Sequence, residues 1–159
     1  MPRSILISLV ACAALVLVIP WGLAGETKPE MQKTYVGSEK CRSCHENEYN
    51  LFRKYSRKTQ SFNHIMLMRN GLTEEEYREC LECHTTGFGK PGGFRSEKDT
   101  PLLKEVGCEA CHGPGSLHVE SSDRKDIKKI ASEKDCTICH NQERVEAFRF
   151  KPLIYGGAH

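Results

Sequence analysis

Hydrophobic and polar positions are unevenly spread along this chain of 159 residues. An apolar run broken only by Ser8 extends from Ile5 to Ile19, after Arg3 and before Pro20 and the small residues Gly22, Ala24 and Gly25. A charged start, an apolar middle and a small-residue end read as a secretory signal peptide, cut after Ala24 or Gly25. Residues 1–25 are therefore expected to be a leader and residues 26–159 one domain. Two other readings stay open. Ile5–Ala24 is long enough to cross a bilayer as an uncleaved anchor. Leu9-Val10-Ala11-Cys12 looks like a lipoprotein cleavage box, although the apolar run before Cys12 is short for one. Each reading sends the rest of the chain across a membrane.

Beyond the leader the pattern changes to short amphipathic segments. A polar lead-in over 26–40 is expected to be extended near Tyr35-Val36-Gly37. Glu46–Ser56 reads as a helix, with Tyr49, Phe52 and Leu51, Tyr55 at helical spacings. A second helix is expected over Gln60–Arg69, with Phe62, Ile65 and Met66 on one face and a stop at Asn70-Gly71. Thr73-Glu74-Glu75-Glu76 is a capping-box start for a helix leading into Cys80. Gly87–Gly93 is a loop by its glycines and Pro91, Ser132–Asp135 opens another helix, and Glu143–Phe150 is expected to be the last one. No alternating stretch suggests a sheet.

Composition makes these segments puzzling. Only 35 of the 134 residues after Gly25 are apolar once cysteines are set aside, about half the share of an ordinary globular chain. Disorder driven by charge repulsion does not follow, because the 22 basic and 21 acidic residues after the leader nearly cancel. Something other than side chains must supply core.

The cysteines identify it. Apart from Cys12 they form four pairs, each with two residues between and a histidine after: Cys41 and Cys44 with His45, Cys80 and Cys83 with His84, Cys108 and Cys111 with His112, Cys136 and Cys139 with His140. This is the c-type haem attachment pattern. Two thiols bond the porphyrin edge and the next histidine lies beneath the iron as proximal ligand. Disulfides, the default in an exported chain, explain paired cysteines but not four histidines in register. Two zinc ribbons could absorb eight cysteines, with the same failing. Four covalently attached haem c groups also answer the missing core, each an apolar surface stapled to a small scaffold. The expected fold is mainly α with much irregular loop, short helices wrapped around four haems. Attachment cysteines 39, 28 and 28 residues apart force neighbouring haems close, as electron transfer between them requires.

Each iron needs a sixth ligand or an open position. His64, His118 and His159 are the three histidines left over, and each is a candidate distal ligand. Met68, four residues after His64, shares its helix face and could serve instead, while core filling is the plainer reading of Met66 and Met68. His118 follows Gly113-Pro114-Gly115 too closely to reach back easily to its own motif's iron, so it is expected to serve another haem. His159 needs Gly156-Gly157 to fold the chain end back. Three histidines for four irons leave one short. One haem therefore takes a Met, a Lys or the amino terminus, or stays five-coordinate.

Three stretches resemble the tetrahaem cytochrome c-554 family and related periplasmic multihaem cytochromes: Tyr35–Cys41, Cys83–Gly93 and Gly107–Gly115. The resemblance implies a mainly helical fold, stacked haem pairs and electron transfer in an exported compartment. It also implies three bis-histidine haems and one five-coordinate haem, the second, on His84. By the same resemblance His118 would serve the first haem, His64 the third and His159 the fourth. Two departures are the shorter chain after the fourth motif and Gln60, which stands where some relatives carry a histidine, with His64 one turn later.

Three functions compete. An exported electron carrier between redox proteins needs only the haems. A small enzyme would use the open iron to bind or reduce nitric oxide or a related nitrogen species. A haem filament would stack subunits through terminal haems. Haem propionates would make the holoprotein mildly acidic, so the basic run Arg124–Lys129 is either a solvated face or a docking patch for an acidic partner. Nucleic acid is not an expected partner, and a membrane is one only if the leader stays. The periplasm is the expected location.

Overall fold

The computed structural model describes residues 31–129 and 132–141. The leader, the helix expected over Glu143–Phe150 and His159 lie outside the described residues. The chain divides after Met31, and the described structure belongs to the unit that starts at Gln32.

Helices are short here because capping residues and glycines interrupt the chain often. After an extended lead-in, Gly37 at φ 86° starts helix α1, Ser38–Arg42. Helix α2, Glu46–Tyr55, ends where Ser56 turns extended. It buries Tyr49 and Phe52, while Leu51 and Tyr55 face outward. Helix α3 is Ser61–Met68, flanked by 3-10 turns at Arg57–Gln60 and Arg69–Gly71. Helix α4, Glu74–His84, carries the expected capping box. Glu76 N–H donates to Thr73 Oγ1 (3.3 Å) and Thr73 N–H to Glu76 Oε2 (2.8 Å). Helices α5, Cys108–His112, and α6, Ser116–Ser121, were not foreseen as elements. Both are too short for hydrophobic periodicity to register. Helix α7, Glu133–Thr137, opens on a Ser132–Asp135 capping box. No strand occurs among the described residues, so the mainly helical expectation holds.

One detail is corrected. Met66 and Met68 do not fill the protein's core; they are 45% and 55% exposed. The buried stripe of α3 is only Ser61, Phe62 and Ile65, since a helix of eight residues crossing a single partner offers little more than one turn of contact.

The side-chain core is small and sits between α3 and α4. Phe62, Ile65, Leu81, Phe94 and Leu103 are buried together, with Tyr35, Leu72, Tyr77, Cys80 and Phe88 packed around them. Phe62 meets Phe94 edge to face at 5.7 Å. Hydrogen bonds replace the missing strands in holding the loops. Thr86 donates from N to Leu103 O (2.9 Å) and from Oγ1 to Glu105 O (2.6 Å). Its own carbonyl accepts from Phe94 N (2.9 Å).

The 87–93 loop closes so tightly that glycine is required. A Cβ on Gly93 would lie 1.7 Å from Gly87 O. Gly93→Ala is therefore expected to cost about 3 kcal/mol or more by overpacking against backbone. Thermal unfolding of the purified variant checks this, and an unchanged midpoint would contradict the loop geometry.

Candidate functional site

Two of the four motifs are wholly helical, and the other two start in the last turn of a helix and finish in a turn. The motifs at Cys80–His84 and Cys108–His112 lie wholly within α4 and α5. In the first and fourth, His45 N–H donates to Cys41 O (2.9 Å) and His140 N–H to Cys136 O (2.8 Å). The first cysteine and the histidine, four residues apart, thus share a helix face in the second and third motifs and are linked by one backbone turn in the first and fourth. No disulfide joins these cysteines among the described residues. Nor do three or more His, Cys, Asp or Glu side chains converge as a metal cluster there.

The histidine rings are oriented from behind. His84 Nδ1 bonds Ser61 O (2.9 Å), His112 Nδ1 bonds Lys128 O (2.8 Å) and His118 Nδ1 bonds Asp123 O (3.0 Å). A ring that donates from Nδ1 to a carbonyl keeps the lone pair on Nε2, which is how metal-binding imidazoles are commonly held. Ser61 fixes His84 twice over, because Ser61 Oγ also donates to His84 O (2.8 Å). Glu105 in turn accepts from Phe62 N–H (2.8 Å), setting the start of α3 beside the end of α4.

The ring of His118 lies 6.2 Å from that of His45, at an interplanar angle of 29°. Two imidazole–metal bonds of about 2 Å, added to the reach from each ring centre to its nitrogen, give roughly the same separation. The centroid separation therefore matches that of two imidazoles bound to one metal atom. His64 is exposed on α3. His140 is half-buried, and burial first, then the nearby Lys58, lowers its pKa, favouring the neutral ring that a ligand needs.

The sulfurs of different motifs are neighbours. The neighbouring Cys108 thiol, then burial, raises the Cys41 pKa. The Cys41 thiol in turn lowers the Cys108 pKa to about 6. Burial raises Cys111 and Cys136, and each is also raised by neighbouring negative charge, Cys136 and Asp135 beside Cys111 and Asp135 beside Cys136. The first motif thus adjoins the third, and the third lies within electrostatic reach of the fourth. These features fit haem c: paired thiols on helical turns, histidines with a ring nitrogen directed away from the backbone, and one opposed histidine pair.

Several supporting residues were invisible to sequence reasoning. Lys128, read only as part of a basic run, takes His112 Nδ1 on its carbonyl, donates its N–H to His112 O (3.2 Å) and pairs through Nζ with Asp135. Ser61, Glu105 and Glu109 are the others. No motif announces them, because their role depends on which backbone atoms tertiary packing brings to them.

The family described as cytochrome c554 and c-prime matches residues 40–113. Cytochrome c-554 of Nitrosomonas europaea is 37% identical over an 81-position alignment covering 40% of this chain and 34% of that protein. The match thus spans about a third of that relative's length. The reduced-state structure of cytochrome c554 from the same organism superposes with a TM-score of 0.59 at 22% identity, over 80% of this chain and 86% of that one. That likeness concerns fold. Over residues 40–113, just under half of its length, this chain resembles the cytochrome c554 family.

Proposed function

We propose that the chain is an exported tetrahaem c-type cytochrome that carries electrons between redox proteins. The observation that supports it most is that every motif brings its histidine back over its first cysteine within one turn, helical in the second and third and a hydrogen-bonded turn at a helix end in the first and fourth. Bound haem supplies a one-electron iron couple whose potential follows its axial ligands. The chain's part is to hold and space these groups. Cys41, Cys44, Cys80, Cys83, Cys108, Cys111, Cys136 and Cys139 would form the thioether links. His45, His84, His112 and His140 would be proximal ligands. His118 would oppose His45 across the first iron, which the 6.2 Å gap supports. His64 and His159 would serve the third and fourth, as the family resemblance suggests. Residues 1–25 would be the leader and 26–159 the tetrahaem domain, delivered to the periplasm.

The histidine deficit favours a second reading, a haem enzyme whose open iron, on His84, binds or reduces nitric oxide. Mass spectrometry and the pyridine haemochrome spectrum are expected to give four haems per chain. Fewer than four would overturn the tetrahaem assignment. Electron paramagnetic resonance of the ferric protein then separates the two readings. One high-spin iron that shifts with nitric oxide supports the enzyme, and four inert low-spin irons leave the carrier.

A further inference from the structure

Glu109 lies between the two cysteines of the third motif, yet it is 2% exposed. A carboxylate buried this far from water requires donors, and it has three backbone N–H groups. Val36 N–H reaches both oxygens (3.0 and 3.1 Å), Gly37 N–H reaches Oε2 (2.7 Å) and Gly115 N–H reaches Oε1 (2.7 Å).

The donors belong to two separate segments. Gly37 is the N-cap of α1, which runs into Cys41, Cys44 and His45. Gly115 is the N-cap of α6, which carries His118. One carboxylate therefore ties together the starts of the two elements whose histidines oppose each other at 6.2 Å. Neighbouring bonds keep the same register. Thr34 N–H donates to Ser116 Oγ (2.9 Å), Ser116 N–H donates to Thr34 O (3.1 Å), and Cys108 N–H donates to Ser38 Oγ (3.0 Å).

We infer that Glu109, from within the third haem motif, positions both axial ligands of the iron at the first motif. The inference rests on reading His45 and His118 as an axial pair. Glu109 is a positioning residue, acting through the backbone of two other segments. The same α5 helix carries Cys108 and Cys111, so the geometry of the first iron is tied to the attachment helix of the third haem. A carboxylate suits the task because both oxygens accept. An amide of equal size has one accepting oxygen and an NH2 group, which would face either Gly37 N–H or Gly115 N–H and release one segment.

The test compares His118→Ala, Glu109→Gln and Gly115→Ala as holoproteins, by ferric electron paramagnetic resonance, carbon monoxide binding to the reduced protein, and redox titration. A Cβ on Gly115 would stand 3.2 Å from Glu109 Oε1, pressing α6 away from the carboxylate. His118→Ala is expected to turn one low-spin haem high-spin and to add one carbon monoxide site. Glu109→Gln should change that same haem's signal and potential and leave the other three as in the parent. Gly115→Ala should do so more weakly. If His118→Ala leaves every low-spin signal intact, the axial-pair reading fails. If it removes one while Glu109→Gln and Gly115→Ala keep the parent's signals and potentials, the positioning role is overturned, whatever their thermal stability. Should Glu109→Gln not mature, Gly115→Ala decides, and an unchanged first-haem signal there overturns the proposal.

Discussion

Replacing Cys108 and Cys111 together by alanine is expected to remove one haem and to leave no folded protein. The reason lies in what α5 holds. Cys108 N–H bonds Ser38 Oγ, Glu109 takes three backbone donors, and His112 exchanges bonds with Lys128. This helix is five residues long and buries only Glu109, so its own side chains contribute little apolar contact. Its place depends on the attached group. A domain of this size has only about 5–15 kcal/mol of net stability, and α5 joins the lead-in, α1, α6 and the run before α7. The matching change at Cys80 and Cys83 should behave differently. There the helix is eleven residues long, capped at Thr73 and anchored in the side-chain core through Leu81. That variant is expected to lose one haem and keep its helical signal. Mass spectrometry, far-ultraviolet circular dichroism and limited proteolysis of both variants check the contrast. Equal loss of structure in the two would mean that α4 has no independent support.

Phe62→Ala is expected to lower stability by about 3–5 kcal/mol, a fall in unfolding midpoint on the order of 10–20 °C. Phe62 is 3% exposed, meets Phe94 edge to face, and lies in a cluster of five buried apolar side chains among the described residues. The effect should reach the haem on His84. Phe62 N–H docks on Glu105, and the adjacent Ser61 holds His84 through both Nδ1 and the main chain. Calorimetry gives the stability change, and the spectrum of the haem at Cys80 and Cys83 reports the coupling. A loss under about 1 kcal/mol would mean that contacts other than side-chain packing hold α3 to α4.

Much was legible without coordinates because it depends on neighbours in sequence. The haem-attachment pattern needs only local spacing, two residues and then a histidine. The α4 and α7 starts were readable because a capping box is closed within four residues. Helix α2 was readable because ten residues suffice for amphipathic periodicity.

The rest required the tertiary structure. The second position of each motif makes the point: Arg42 and Thr137 are exposed, Leu81 and Glu109 are buried. Leucine and glutamate reach the same depth for opposite reasons, one to leave water and one to satisfy backbone donors seventy residues away in sequence. Nothing in Cys108-Glu109-Ala110-Cys111 distinguishes this carboxylate from exposed Glu82 in the second motif. Likewise the basic run reads as a solvated face or a docking patch, and nothing in its residue types shows that the Lys128 carbonyl orients His112. By itself, then, the sequence determined the cofactor type, the spacing of the cysteines and histidines proposed to hold it, and the helix starts at Thr73 and Ser132, since these are short-range chemistry. Only the tertiary structure decided which histidines face each other and which polar groups hold them there, because those depend on long-range hydrogen bonds that residue type and spacing do not encode.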